Sequence, residues 1–165
     1  MTIRPILRWP DQRLRSVADP VEKITDDIRT IWTDMVETMD AMPGVGLAAP
    51  QIGVMLRLAV VDVTPDRSRR ILMANPEILQ SGPEMYSHEE GSPCLPGVSV
   101  RLQRPSLVSV RFLNAEGVVQ RRDFHELEST SVQHQIDHLN GRMYFHNLSK
   151  TKRDMLLRRA KKAKT

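Results

Sequence analysis

Two histidines four residues apart, His134 and His138, constrain the fold of this chain more than any other feature. Side chains at positions i and i+4 share one face of an α-helix, so both imidazoles can reach one metal ion if this segment is helical. In the hydrolase pattern H-E-x-x-H, the glutamate after the first histidine is a general base. Here that residue is Gln135, whose amide cannot take up a proton near neutral pH. The segment predicts a metal-binding helix without its base, and the alternative is a helix that uses both histidines structurally.

The composition is that of a single globular domain. The 165 residues are 40% hydrophobic and 27% charged, which is ordinary for a domain with its own core. The single cysteine excludes an internal disulfide and favours a reducing compartment. Residues 1–10 contain no apolar segment typical of a secretory signal, and no run approaches the roughly 18 apolar residues that cross a membrane. We therefore expect one cytoplasmic domain over residues 1–165, with no membrane partner.

Positive charge is concentrated at the C-terminal end. Residues 149–165 contain eight Lys or Arg and one acidic residue, whereas the whole chain has a formal net charge of +4. A final basic helix is predicted at about residues 149–165, beginning near Lys150 with Ser149 as a candidate N-cap. A basic helix on a slightly acidic body suggests attraction to a polyanion such as RNA. The alternative is a solvated helix end, since Lys and Arg in the last turn also favour the helix dipole.

Hydrophobic periodicity predicts two further helices. Thr25 is a plausible N-cap, and apolar residues recur at helical spacing from Ile28 to Met39, which predicts a helix of about four to five turns. A second helix begins near Glu126, carries the two histidines and ends at Asn140-Gly141.

Alternating apolar segments predict five strands, and residues 114–117 predict a hairpin loop between the last two. The predicted strands are 57–63, 70–75, 98–102, 107–113 and 118–124. Two segments rich in turn-forming residues are expected to be loops: 43–53 and 83–96.

Cys94 is a candidate third metal ligand. One thiolate and two imidazoles provide three protein ligands and leave a fourth position for water, which is typical of a catalytic site. The alternative for Cys94 is a buried inert thiol. Asp137, between the histidines, could orient a metal ligand or pair with a nearby arginine.

Three motifs occur in order along the chain. The first is Gly44-Val45-Gly46-Leu47-Ala48-Ala49-Pro50-Gln51, the second is Glu90-Gly91 followed by Cys94-Leu95, and the third is His134-Gln135-Ile136-Asp137-His138. Together with the opening segment Pro10-Asp11-Gln12-Arg13-Leu14-Arg15, they resemble the motifs of the peptide deformylase family at near-family spacing. The resemblance covers nearly the whole chain. It implies an α+β fold in which antiparallel β-sheets surround a central helix that carries the HxxxH metal motif.

The resemblance also implies a metal centre. Cys94, His134 and His138 would hold one divalent metal ion, Fe²⁺ most often, with Zn²⁺, Ni²⁺ or Co²⁺ as substitutes. The side chain of Gln51 and the backbone N–H of Leu95 would stabilise the oxyanion that forms during hydrolysis.

The implied substrates are N-formyl-methionyl peptides, from which family members remove the formyl group during protein synthesis. Gly46 would let such a peptide lie close to the backbone of the first motif. Arg101 matches a position near the substrate entrance, and its alternative is a surface residue on a strand. The basic C-terminal helix would dock on the ribosome.

The chain departs from the family pattern in two motifs. Gln135 stands where the family has the base glutamate, and losing a general base costs about 10²–10⁴ in rate. Ser92 and Pro93 separate Gly91 from Cys94, whereas in the family the cysteine follows the glycine directly. The sequence therefore predicts a deformylase-type hydrolase with reduced activity. The alternative is an inactive relative that binds metal, formyl peptide or the ribosome.

Overall fold

The computed structural model describes residues 2–163, which form three α-helices, seven strands and three short 3₁₀-helices. The α-helices are α1 (Asp26–Ala41), α2 (Glu126–Leu139) and α3 (Lys150–Ala163). The strands are β1 (Gly46–Ala48), β2 (Leu58–Val61), β3 (Ile71–Ser81), β4 (Met85–Ser92), β5 (Leu95–Pro105), β6 (Leu107–Leu113) and β7 (Val119–His125). The 3₁₀-helices are Gln12–Arg15, Ala49–Ile52 and Tyr144–Asn147.

The strands form two antiparallel sheets with α2 between them. The larger sheet has the order β1-β2-β3-β6-β7, and the smaller is the β4–β5 hairpin. Helix α2 follows β7 directly and contacts strands of both sheets. This arrangement confirms the predicted α+β class with a central helix that carries the histidine pair. Of the helices within residues 2–163, none has the length and apolar character needed to cross a membrane.

Helix α1 begins as its sequence predicts. The Thr25 hydroxyl accepts a hydrogen bond from the backbone N–H of Ile28, and two aspartates occupy the first turn, where they favour the helix dipole. The apolar stripe is buried, and the indole N–H of Trp32 donates to the carbonyl oxygen of Met73 on β3 at 3.3 Å. The stripe therefore packs α1 onto the larger sheet, as expected.

Helix α2 buries polar side chains as well as an apolar stripe formed by Val132, Ile136 and Leu139. The Ser129 hydroxyl and the Gln133 amide both donate to the carbonyl oxygen of Pro105, at 2.9 and 3.0 Å. The Ser131 hydroxyl donates to the carbonyl oxygen of Val45 at 2.9 Å. Because hydrogen bonds are directional, these contacts fix the rotation of α2 about its axis as well as its position.

Two loop predictions are wrong. The segment 83–96 contains β4 and the start of β5, which pair from Met85 with Pro105 to Ser92 with Leu95. The segment 43–53 contains β1 and a 3₁₀-helix. The predicted strand 107–113 coincides with β6, whereas the strand predicted at 70–75 extends to residue 81 as β3.

Helix α3 confirms the predicted C-terminal helix for residues 150–163. The Ser149 hydroxyl accepts a hydrogen bond from the backbone N–H of Lys152, so Ser149 caps the helix. Leu156 and Ala160 are buried, and α3 contacts β5. The predicted continuation to residue 165 lies outside the described residues.

Asp34 ties the N-terminal segment to α1. Its carboxylate accepts hydrogen bonds from the Arg4 guanidinium, at 2.7 and 2.9 Å, and from the backbone N–H of Thr2 at 2.8 Å. Burial raises the pKa of Asp34, but the bonds from Arg4 and Thr2 outweigh it and lower the pKa. The ionised carboxylate therefore stabilises the fold above the ordinary carboxyl pKa, and this stability is lost as pH falls through the lowered pKa.

We expect Asp34→Asn to lower the free energy of unfolding by about 2 kcal/mol at pH 7, because it removes charge-assisted hydrogen bonds. The difference from wild type should shrink as pH falls below about 4, where the carboxylate begins to protonate in the unfolded state, and should continue to shrink through the lowered pKa of the folded state. Urea denaturation at pH 7 and pH 3 measures both values. The control is Glu77→Gln, which breaks the exposed Glu77–Arg111 pair and should cost less than about 1 kcal/mol. This account would be contradicted if Asp34→Asn lowered the free energy of unfolding by the same amount at both pH values.

Candidate active site

A cavity of about 250 Å³ lies between the start of β1, the end of β4 and helix α2. Its walls include side chains and backbone from all three elements. Those that bear on its chemistry are Gly46, Gln51, Glu90, Thr130, His134 and Gln135.

His134 is held by a carboxylate. Its Nδ1 lies 2.9 Å from an oxygen of Glu90, and its ring stacks on Tyr144 at a centroid distance of 5.8 Å. A histidine whose Nδ1–H donates to a carboxylate presents Nε2 as a lone-pair donor, which is the usual orientation of a metal-binding imidazole. The contact with Glu90 therefore prepares His134 to act as a ligand.

His138 is buried one helical turn away, with its ring centroid 5.0 Å from that of His134. Burial lowers the pKa of His138 well below its ordinary value, so the imidazole is neutral. Neither ring nitrogen has a hydrogen-bond partner among residues 2–163. A neutral imidazole with an unpaired buried nitrogen is costly unless it binds something, and this fits a metal ligand.

Cys94 does not join the two histidines. It lies in the turn between β4 and β5, is 1% exposed, and its Sγ lies 3.5 Å from Nε2 of Gln51. Burial raises the pKa of the thiol, which opposes the thiolate form that binds metals. In the described part of the chain, no three His, Cys, Asp or Glu side chains are grouped so that they could hold a metal ion. The residues thus fit two metal ligands but not a three-ligand centre, and ligation by Cys94 stays a prediction.

Gln135 occupies the wall of the cavity that faces β1. It is 4% exposed, and its Oε1 has no hydrogen-bond partner within residues 2–163. A Cβ atom added to Gly46 would lie 2.4 Å from Nε2 of Gln135 and 2.6 Å from the hydroxyl oxygen of Ser131. Gly46 is therefore required for the close approach of β1 to α2.

Gln51 is buried and oriented by its own 3₁₀-helix. Its Oε1 accepts a hydrogen bond from the backbone N–H of Ala48 at 2.9 Å, which leaves the amide N–H groups as donors toward the cavity and Cys94. This geometry is compatible with the predicted role in oxyanion stabilisation, which stays a prediction.

Two other predicted residues lie apart from the cavity walls. The side chain of Leu95 is buried and lines a second, apolar cavity beside α3. Arg101 is exposed on β5, where its guanidinium donates to the hydroxyl of Ser87 at 3.4 Å. The roles of the Leu95 backbone N–H and of Arg101 therefore stay predictions.

A buried ion-pair network behind the cavity was missed by the sequence analysis. Arg104 on β5 donates to both carboxylate oxygens of Glu90, at 2.7 and 3.0 Å, and to Asp137 on α2 at 3.0 Å. Burial raises the pKa of Glu90, but the hydrogen bonds from His134 and Arg104 outweigh it and lower the pKa. Asp137 thus pairs with an arginine, the second of its two predicted roles. The pairing of Glu90 with Arg104 could have been anticipated only if residues 83–96 had been recognised as a strand.

Comparisons with known proteins agree with this fold. Residues 3–154 match the family model of polypeptide deformylase. The chain is 43% identical to a peptide deformylase of Afipia carboxidovorans, over 99% of this chain and 96% of that protein. It is 40% identical to a peptide deformylase-like protein of Bradyrhizobium diazoefficiens, over 98% and 95%. The crystal structure of a peptide deformylase from Legionella pneumophila superposes with a TM-score of 0.92 at 41% identity, covering 99% of this chain and 96% of that one. The chain therefore belongs to the peptide deformylase family.

Proposed function

We propose that this protein binds N-formyl-methionyl peptide ends in the cavity between β1, β4 and α2 and hydrolyses them with a strongly reduced rate. The family to which it belongs consists of metalloenzymes that remove the formyl group from N-formyl-Met. The observation that carries the proposal is Gln135, a buried amide on the cavity wall at the position of the family's base. An amide can hold a substrate by hydrogen bonds but cannot accept its proton.

The edge of the larger sheet supports peptide binding. β1 is an end strand of that sheet and pairs with β2 from Gly46 opposite Val61 to Ala48 opposite Ala59. The other edge of an end strand presents backbone N–H and C=O groups that can pair with an extended peptide. Gly46 borders the cavity, so a peptide paired along β1 would bring its N-terminal end to the histidines and Gln135.

Gln51 supports recognition of the formyl group. Its side chain is held rigidly by the bond from Ala48, so the amide N–H groups keep their direction before a ligand binds. A preorganised donor of this kind favours a carbonyl oxygen that carries negative charge. We therefore assign Gln51 to the formyl oxygen.

The residues needed for hydrolysis are less complete than those that would bind the peptide. His134 and His138 are the side chains that would hold a divalent metal, which the family resemblance expects to be Fe²⁺, with Zn²⁺, Ni²⁺ or Co²⁺ as substitutes. When bound, such an ion supplies an activated water. Gln135 can neither take up the proton of that water nor supply a proton to the leaving amine. We therefore expect peptide binding to be better preserved than hydrolysis.

The basic helix α3 supports a second proposal, that the protein docks on ribosomal RNA in the cytoplasm. Leu156 and Ala160 face the body of the protein, whereas basic side chains on the rest of α3 are exposed. The exposed ones include Lys150, Lys152, Arg158, Arg159 and Lys161. A helix with one buried face and one exposed basic face favours polyanion binding over the alternative of a merely solvated helix end.

A formylated peptide should bind more tightly than its acetylated counterpart. The probes are formyl-Met-Ala-Ser and acetyl-Met-Ala-Ser, titrated calorimetrically into protein kept free of metal by a chelator. Gly46→Ala should weaken formyl-peptide binding at least about tenfold, because the added methyl group displaces Gln135 and Ser131 into the cavity. The control is Gly82→Ala, whose methyl group would meet Leu107 outside the cavity. Equal affinity for both peptides, or no binding, would refute the proposal.

Turnover should recover when the base is restored. The rate of formyl-Met-Ala-Ser hydrolysis that wild type shows with added Co²⁺ should rise about 10²- to 10⁴-fold in Gln135→Glu. Gln103→Glu makes the same chemical change at an exposed position on β5 and should leave the rate unchanged. Equal, measurable rates for wild type and Gln135→Glu would show that residue 135 is not the limiting group.

Ribosome binding should depend on α3 and on salt. Lys152→Ala/Arg158→Ala should weaken binding to purified ribosomes and reduce the slope of log affinity against log salt by about 2, one for each lost phosphate contact. Lys23→Ala/Arg121→Ala removes the same charge from exposed positions outside α3 and should have little effect. Equal losses in the two double variants would indicate a general charge effect, and salt-insensitive binding would argue against RNA.

A further inference from the structure

Ser92, the last residue of β4, is buried on the same side of that strand as Glu90. Side chains alternate along a strand, and in β4 Glu90 and Ser92 are buried whereas Gly91 is exposed. Glu90 contacts Nδ1 of His134, so the face that Glu90 and Ser92 share is directed toward α2. The register of the hairpin shifts between the pairs Glu90–Val100 and Ser92–Leu95. The extra residues of this shift lie on β5, so the alternation of side chains along β4 continues to Ser92.

Cys94 lies in the turn after β4, where its Sγ contacts Nε2 of Gln51 and the side chain of Ser92. It follows Pro93 in the turn and its backbone N–H donates to the hydroxyl oxygen of Ser92 at 3.2 Å. Its carbonyl oxygen accepts from the backbone N–H of Trp9 at 2.9 Å, which ties this turn to the N-terminal segment. The side chain belongs to an apolar cluster with Leu14, Leu95 and Leu102. The thiol is thus packed as a small apolar group, apart from any three-ligand cluster in residues 2–163.

We propose that Ser92, not Cys94, occupies the third ligand position beside His134 and His138, so that this protein holds a divalent metal weakly, through two imidazoles and without a thiolate. A serine hydroxyl is a poor ligand for the metals that imidazole and thiolate bind well, because it stays protonated and neutral. The inference deepens the proposed function by assigning the low turnover to the metal site as well as to Gln135.

The proposed site therefore differs by one side-chain atom from a site with three metal ligands. Serine and cysteine differ in the atom beyond Cβ, so Ser92→Cys places a sulfur near the position of the hydroxyl oxygen with little change in volume. Two imidazoles and one thiolate provide the three protein ligands of a catalytic metal site. The reverse exchange at the other position, Cys94→Ser, is expected to leave metal binding unchanged.

The experiment titrates Co²⁺ anaerobically into the full-length protein and reads affinity by calorimetry and thiolate ligation by the sulfur-to-cobalt charge-transfer absorption in the near ultraviolet. Wild type and Cys94→Ser should bind Co²⁺ with the same affinity, within a factor of about three, and show no thiolate band. Loss of a partner that merely orients a ligand costs about 10- to 100-fold in affinity, so the added ligand in Ser92→Cys/Cys94→Ser should gain at least about 100-fold. That double variant should also show the thiolate band.

Two outcomes would overturn the inference. One is a thiolate band in wild type that disappears in Cys94→Ser, because Cys94 would then be a ligand. The other is a Ser92→Cys/Cys94→Ser protein that is folded by circular dichroism but shows neither the band nor tighter binding. Since formyl-peptide binding is measured in the presence of a chelator, failure of this inference is distinguishable from failure of the proposed function.

Discussion

The ion pairs of Arg104 with buried Glu90 and partly buried Asp137 hold the β4–β5 hairpin against α2, and the geometry of the cavity depends on them. The hairpin belongs to a separate two-stranded sheet, so it has no backbone ladder to the five-stranded sheet within the described residues. Removing one member of a buried ion pair leaves the other charge unpaired and costs about 3–5 kcal/mol, so the network joins hairpin and helix firmly. The carboxylate of Glu90 also orients His134. One side chain therefore links the architecture to the chemistry.

The helices could be predicted from the sequence because local signals determine them. Thr25 and the two aspartates after it mark the start of α1, and the apolar stripe marks the face that the sheet covers. The histidine pair was identified from its spacing, and α2 places both imidazoles on one side of the helix. Residues four apart lie on the same face of any α-helix, so this part of the site could be predicted from the sequence.

Only one strand of the hairpin was predicted: the strand at 98–102 lies within β5, whereas β4 was missed because its buried residues, Glu90 and Ser92, are polar. β4 carries Glu90 inward where a strand of a β-sheet usually carries an apolar residue, and the partner that makes this possible, Arg104, lies on the neighbouring strand. Only the paired structure shows that the two charges neutralise each other. The same uncertainty affected the third ligand. In the sequence Cys94 belongs to the second motif, and its role as a ligand stays a prediction. In the structure its thiol packs in the apolar cluster, whereas Ser92 lies on the face that it shares with Glu90.

The polar attachment of α2 has a consequence for how the protein can change. Ser129, Ser131 and Gln133 donate hydrogen bonds to carbonyl oxygens of the surrounding backbone, so these three side chains fix the rotation of the helix about its axis. None of these hydrogen bonds involves residue 135, so a change of that side chain leaves them in place. The rotation of α2 and the chemistry at position 135 are therefore determined by different side chains of the same helix.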